Sequence, residues 1–361
     1  MTEYNYDYNL PEDLIGKGNK KGRDDSKLLI VNTETDEIIF DNYFNVHKYL
    51  PEKSLMILNE TKVVPARVEM YKETGGKVEV FFLANEIKDK NKIPVVVDRK
   101  IELDKYLFAT KEMAENFASQ NFQPNAFYFK IILQEENKFY LEPVLENREV
   151  NLNFDLEEFL EKYGSTPTPK YIKINENTTE EIKEKYQTIF ANSGMSVAAP
   201  TASLHLTEKV FENLKNKNIE IEKIRLDVGF GTFVTPTEEN IKKGIIHKEP
   251  VYIKNEIMEK IENTKKENKQ IIAVGTTVVR SLESYSGKQF FDTDIFIKPP
   301  FDFKVVDILQ TNFHLPNTSL MMLVQAFLEY KGSKFKLVDI YEIAIENKFE
   351  FYSLGDVMLI I

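Results

Sequence analysis

Short apolar runs bounded by turn-forming residues open the chain. SKLLIVN at Ser26–Asn32 and the run Glu37–Phe40 predict two strands separated by Glu34–Asp36, and Ser54–Leu58 predicts a third. NETKVVPAR at Asn59–Arg67 then ends an apolar strand in a polar turn. From Val68 to about Val150 the pattern becomes alternation: KVEVFFL at Lys77–Leu83, PVVV at Pro94–Val97, and FYFKIIL and KFYLEPV on either side of Gln134–Asn137, a hairpin signal. This stretch reads as a separate antiparallel β unit, a small barrel or sandwich, with its strand aromatics in the core.

Beyond it, helical and strand periods alternate. Helices are predicted at Asp155–Tyr163, Thr179–Ala191, Thr207–Asn218, Ser319–Leu328 and Leu337–Asn347, the third capped by Thr207 with Glu208 in its first turn. Strands are predicted at Ile219–Val228, around Ile245–Glu249, at Ile271–Val274 and at Thr293–Ile297; Phe303–Leu309 leads to Thr311–Pro316, and Phe349–Ile361 closes as a strand pair or turn around Gly355-Asp356. The sum is a mixed α/β protein of two domains.

The connections carry the chemistry. Ser193–Thr207, SGMSVAAPTASLHLT, is nearly all small residues, so backbone amides can approach a ligand closely around Ala199, Pro200 and Thr201, and His205 follows as an acid/base candidate. A buried tight connection would use small residues in the same way. Gly229-Phe230-Gly231-Thr232 is a weak phosphate-loop signal. Gly275-Thr276-Thr277 joins a strand to a helix bearing Arg280 and Glu283, which offers amides and a positive dipole end to an anionic group, but it lacks the spacing and lysine of a P-loop. His205, His247 and His314 sit in polar segments beside carboxylates or amides such as Asn312, and Asp294 lies on a predicted strand. The histidines lack metal-ligand spacing and no G-x-S-x-G elbow is present, so no metal and no serine-hydrolase chemistry is expected.

Composition narrows this further. The absence of cysteine excludes disulfides, thiolate nucleophiles and cysteine-bound metal clusters. The acidic opening MTEYNYDYNL does not resemble a signal peptide and no apolar run is long enough to span a bilayer, so a cytoplasmic protein without membrane contact is expected. A net charge of −11 argues against non-specific nucleic-acid coating, while a local basic surface could still hold a folded RNA; Gly16–Arg23, GKGNKKGR, is a candidate loop for that, and a solvated loop is the equal alternative.

The set SVAAPTASLHLT, VGFGTF, IHKE, AVGTTVVRSLES, TDIFI and TNFHLPNTSLMMLVQAF, with NETKVVPAR, TGGKVEVFFL, YQTIFA and FYSLGDVMLI, resembles the S-adenosylmethionine:tRNA ribosyltransferase-isomerase family from about Tyr8 to Ile361. The resemblance implies an α/β catalytic domain, residues 1–67 and 151–361, with a β-barrel domain, 68–150, inserted in it. It implies transfer and isomerisation of the ribosyl part of S-adenosylmethionine onto 7-aminomethyl-7-deazaguanine at the tRNA wobble position, with no tightly bound cofactor and a monomeric enzyme. On that footing His205 and His247 would move protons, and Asp294 and Glu283 would sit near the sulfonium or ribose. Arg280 and Gly275–Thr277 would hold a carboxylate or phosphate, with Ala199–Thr201, Gly229, Gly231, Thr232, Asn312 and His314 lining the pocket. Lys20, Lys21, Arg23, Lys62 and Arg67 would face tRNA.

The chain departs from the family pattern in places. Ser203 and Leu206 stand where GLHFT is usual, Asp227 where a histidine precedes VG, and Asn59-Glu60-Thr61-Lys62 for NDTR. Pro167-Thr168-Pro169-Lys170-Tyr171-Ile172 stands for PLPPYI, and Ile246 for the methionine before His247. Lys62 exchanges a planar bidentate donor for a point charge. Two other readings stay open: a binding protein that keeps the nucleoside pocket without catalysis, and a ribosyl transferase with a different acceptor.

Overall fold

The computed structural model describes residues 5–18, 22–121, 127–145, 147–168, 179–233, 239, 244 and 246–361. A nine-stranded mixed sheet and a seven-stranded antiparallel sheet organise the chain. Among the described residues no helix is long and apolar enough to cross a membrane.

The first strands are β1 (Lys27–Asn32), β2 (Glu37–Asn42), β3 (Leu55–Asn59) and β4 (Thr61–Val63). The alternating stretch forms β5 (Arg67–Lys72), β6 (Lys77–Phe82), β7 (Ile93–Val97), β8 (Tyr106–Phe108), β9 (Phe127–Glu135) and β10 (Lys138–Leu145). After them come β11 (Gly164–Ser165), β12 (Ser193–Ser196), β13 (Glu220–Leu226), β14 (Glu249–Tyr252), β15 (Ile271–Val274), β16 (Phe290–Thr293), β17 (Ile308–Asn312) and β18 (Val357–Ile360).

The large sheet runs β16-β14-β13-β3-β15-β17-β18-β1-β2. β3, β13, β15 and β17 are mutually parallel; β3, β15 and β17 are buried throughout, which is why β3 and β15 read as apolar runs, while β17 buries the polar Gln310, Thr311 and Asn312. Odd and even positions serve two cores: Leu29, Leu55, Ile57, Ile271 and Leu309 face one apolar cluster, and Leu28, Met56, Leu58, Ile272 and Ile308 face the other. The helices Asn255–Lys266, Thr276–Glu283, Ser319–Tyr330 and Leu337–Glu346 supply the first, and the helix Glu208–Asn216 supplies the second.

The other sheet runs β11-β5-β6-β7-β10-β9-β8, and β8 pairs back onto β5, so β5 to β10 close a ring. Its packing continues past residue 150. Phe154 and Phe159, the latter on the helix Leu156–Tyr163, join an aromatic cluster with Phe127 and Phe129, and Gly164 and Ser165 pair with β5. Residues 154–165, expected with the α/β part, pack on the ring because Phe154 and Phe159 bury their rings against Phe127 and Phe129 there.

Three elements differ from expectation. The strand predicted at Thr293–Ile297 lies earlier, at Phe290–Thr293, and the one around Ile245–Glu249 starts at Glu249 and runs to Tyr252. The helix predicted to reach Ala191 ends at Lys185, and Ser193–Ser196 forms a short parallel pair with β4.

Candidate active site

In an open α/β sheet the carboxyl ends of parallel strands are where ligands bind. Here Asn59, Asp227, Gly275 and Asn312 end or follow β3, β13, β15 and β17 at one edge. β14, β18 and β1 run the opposite way and bring Glu249, Asp356 and Ser26 to that edge, while β16 reverses again and brings Asp294.

Gly275, at φ +96°, turns the chain from β15 into the helix Thr276–Glu283. Arg280 sits one turn along it, 9% exposed, and its Nη1 donates to Glu249. Glu249 also accepts the Gly229 N–H at 3.0 Å. Arg280 Nε and Nη2, Thr277 Oγ1 and Ser203 Oγ are buried with no hydrogen-bond partner among the described residues. The small-residue loop lies across this turn: Thr201 Oγ1 donates to Asn312 Oδ1 at 2.8 Å and Gln310 Nε2 to the Ala202 carbonyl at 2.9 Å. Two unused guanidinium donors near a helix N-terminus can donate to a carboxylate or phosphate.

On the β13 side the glycines are required by close approach. A Cβ at Gly231 would lie 2.0 Å from His247 Cδ2, and one at Gly229 would lie 2.9 Å from Asn85 Nδ2. Asn85 comes from the turn after β6, and both amide atoms are buried without a partner among the described residues. No sequence motif points to Asn85 or to Glu249 as an anchor of Arg280. His247 and Asp294 are exposed on the rim, where Lys248 Nζ lies 4.0 Å from Asp294. Asp227 is buried. Thr61 Oγ1 donates to it at 2.5 Å, and Arg225 Nε lies 3.7 Å away; desolvation nevertheless raises its pKa, opposed by these partners. Thus the departure at Asp227 is met by a residue of the NETK segment.

On the β1 side His205 Nδ1 lies 2.9 Å from Ser26 Oγ and 3.2 Å from the Arg23 carbonyl, with its ring 5.4 Å from that of Tyr43. His314 Nε2 contacts Thr311 Oγ1 at 2.9 Å. Although that residue keeps some solvent exposure, its imidazole is enclosed by protein, and burial pushes its pKa down to about 4.

The structure does not bring the two proposed proton carriers together. Six strand spacings separate β1, beside His205, from β14, beside His247, on the order of 25–30 Å. Glu283 is not at this edge: its carboxylate accepts the N–H groups of Lys304, Val305 and Val306 at the opposite end of the helix. The residues expected to face tRNA are committed internally. Lys62 pairs with Glu157 at 2.6 Å and Glu161 at 3.5 Å, Arg67 lies 3.7 Å from Glu79, and Arg23 donates to the carbonyls of Gln187 and Glu184. Lys20, Lys21, Lys170 and the side chain of Thr232 lie outside the described residues. Among the described residues no group of three or more histidines or carboxylates could hold a metal.

Fold and edge together define a mixed α/β protein with a cluster of buried polar groups at the ends of parallel strands. Within that class the chain belongs to the family described as queuosine biosynthesis protein, which matches residues 3–360. It is 37% identical over 370 residues to the S-adenosylmethionine:tRNA ribosyltransferase-isomerase of Carboxydothermus hydrogenoformans, covering all of both chains. It is 38% identical over 360 residues to the enzyme of that name from Aquifex aeolicus, covering 99% of this chain and 98% of that one. The crystal structure of S-adenosylmethionine tRNA ribosyltransferase from Thermotoga maritima shares the fold, with a TM-score of 0.51, 24% identity and 99% of each chain covered.

Proposed function

We propose that this protein is an S-adenosylmethionine:tRNA ribosyltransferase-isomerase. It transfers the ribosyl part of S-adenosylmethionine to the aminomethyl group of 7-aminomethyl-7-deazaguanine at the tRNA wobble position and isomerises it, releasing adenine and methionine. Family membership across the chain supports the reaction; the unpartnered nitrogens of Arg280 beside the Gly275 turn are the single observation that carries the site.

In this reading the methionyl carboxylate is held by Arg280 and the first amides of the helix Thr276–Glu283, with Thr277 and Ser203 hydroxyls donating beside it. The loop Ala199–Thr201 and Asn312 border it on one side, Gly229, Gly231 and Asn85 on the other. The edge between His205 and His247 is long enough for two substrates side by side. The two histidines then serve different ends of it and not one shared relay: His247 and Asp294 act where nucleoside and acceptor meet, and His205 orders the β1 end through Ser26. His314, neutral at pH 7, helps to shape the pocket wall. The ring β5–β10, with residues 154–165 packed on it, is the inserted barrel, and the enzyme acts in the cytoplasm as a monomer without a bound cofactor.

The test is mass spectrometry of precursor tRNA after incubation with the protein and S-adenosylmethionine, with adenine measured in parallel. The modified nucleoside and one adenine per transfer are expected. Adenine formed without the deazaguanine-bearing tRNA would reassign the acceptor, and ligand binding with no adenine would make the protein a binder.

A further inference from the structure

The large sheet ends in β13, β14 and β16, and on the face turned away from the helix Asn255–Lys266 three side chains stand in line. Arg225 is the cross-strand partner of Tyr252, and Tyr252 of Phe290. The rings of Tyr252 and Phe290 stack at 4.3 Å with 25° between planes, and the Arg225 guanidinium carbon lies 5.5 Å from the Tyr252 ring. Phe290 is 65% exposed. Burial does not account for a large apolar ring left open on a terminal strand, a position that folds usually protect.

Three lysines flank the row, with Glu60, Glu222 and Glu256 beside two of them. Lys223 and Lys254 lie two residues from Arg225 and Tyr252, Lys288 two from Phe290, and all three are exposed; Lys254 and Lys288 make no ion pair with any described residue. Asp292 is the exposed acid on the same strand. The row is continuous with the proposed active site: Arg225 precedes Asp227 by two residues, and Glu249, which anchors Arg280, begins the strand that Tyr252 ends. Rings in register on adjacent strands, flanked by cations, are the arrangement by which β-sheets hold unstacked bases of single-stranded RNA.

The geometry points to a base-stacking platform, Arg225–Tyr252–Phe290, that holds an unpaired base of the RNA substrate next to the reacting nucleotide. This rests on tRNA being the substrate. Phe290→Ala, Phe290→Leu and Phe290→Trp in the full chain test it, with steady-state constants for precursor tRNA and S-adenosylmethionine and with fluorescence-polarisation binding of an anticodon stem-loop RNA. Alanine and leucine should both raise KM for tRNA about tenfold, ~1.4 kcal/mol, within the range for one stacked base. KM for S-adenosylmethionine and kcat at saturating tRNA should not change, and tryptophan should restore tRNA affinity. Lys254→Ala and Lys288→Ala should each lower the salt slope of RNA binding by about one. The proposal is overturned if Phe290→Ala leaves tRNA KM and stem-loop binding within twofold of wild type, if leucine suffices, or if the variant changes the sedimentation of the protein, which would make the platform a protein contact. A wild-type protein inert on tRNA but losing stem-loop binding on Phe290→Ala would refute the proposed reaction and retain the platform.

Discussion

Glu249→Ala removes the partner of a guanidinium that has few others. Its carboxylate is 4% exposed, Arg280 is 11% exposed at the side chain, and the carboxylate also accepts the Gly229 N–H at 3.0 Å. Deleting one member of a buried ion pair costs about 3–5 kcal/mol because the remaining charge stays desolvated. A buried N–H left unmet costs about 1–3 kcal/mol, and water entering the vacated space offsets part of both. A loss of about 4 kcal/mol is expected. Glu249→Gln keeps an acceptor for Gly229 and should lose about half as much. Glu249→Ala with Arg280→Met removes both charges and should regain most of the loss, since apolar replacements of buried pairs are often neutral. Equilibrium urea denaturation followed by far-ultraviolet circular dichroism reads all three, compared at equal m. A loss below about 1 kcal/mol for Glu249→Ala, or a double variant no more stable than the single one, would refute the claim that this pair is held dry by the fold.

Gly231→Ala places a methyl where His247 now lies, 2.0 Å from Cδ2, so the imidazole must swing away; if it carries a proton, adenine release should fall about 10²-fold or more, and unchanged turnover would remove His247 from the mechanism. Gly194→Ala sets a side chain at φ +109° and 2.2 Å from Asp227 Oδ1, so a loss of more than about 1 kcal/mol is expected by thermal denaturation. His314 has a pKa lowered to about 4, so its contribution to stability is complete above the unfolded value near 6.5 and is lost as pH falls towards 4. The stability of wild type relative to His314→Asn should therefore decline across that window, by no more than about 1.4 kcal/mol per pH unit, and a difference independent of pH would show that the ring is hydrated.

Local pattern located most strands to within a residue or two. Ser26–Asn32 became Lys27–Asn32, Lys77–Leu83 became Lys77–Phe82, and Ile271–Val274 matched, because runs buried on both faces and alternating runs on one face carry their own period. The turn at Gly275 and the cap at Thr207 were legible for the same reason: both are set by neighbours within a few residues. Partnership was not legible. Glu283 and Arg280 are three residues apart on one helix, yet one ties down a loop at the far end while the other meets Glu249 at the ligand edge. Strand order, not spacing along the chain, separates His205 from His247, and contact between the two sheets brings Asn85 beside Gly229. Lys62 and Arg67 read as free cations until folding supplied Glu157, Glu161 and Glu79. Periodicity is a short-range property and survives in one dimension; charge compensation and convergence depend on contacts between residues distant along the chain, and those exist only once the sheets have closed.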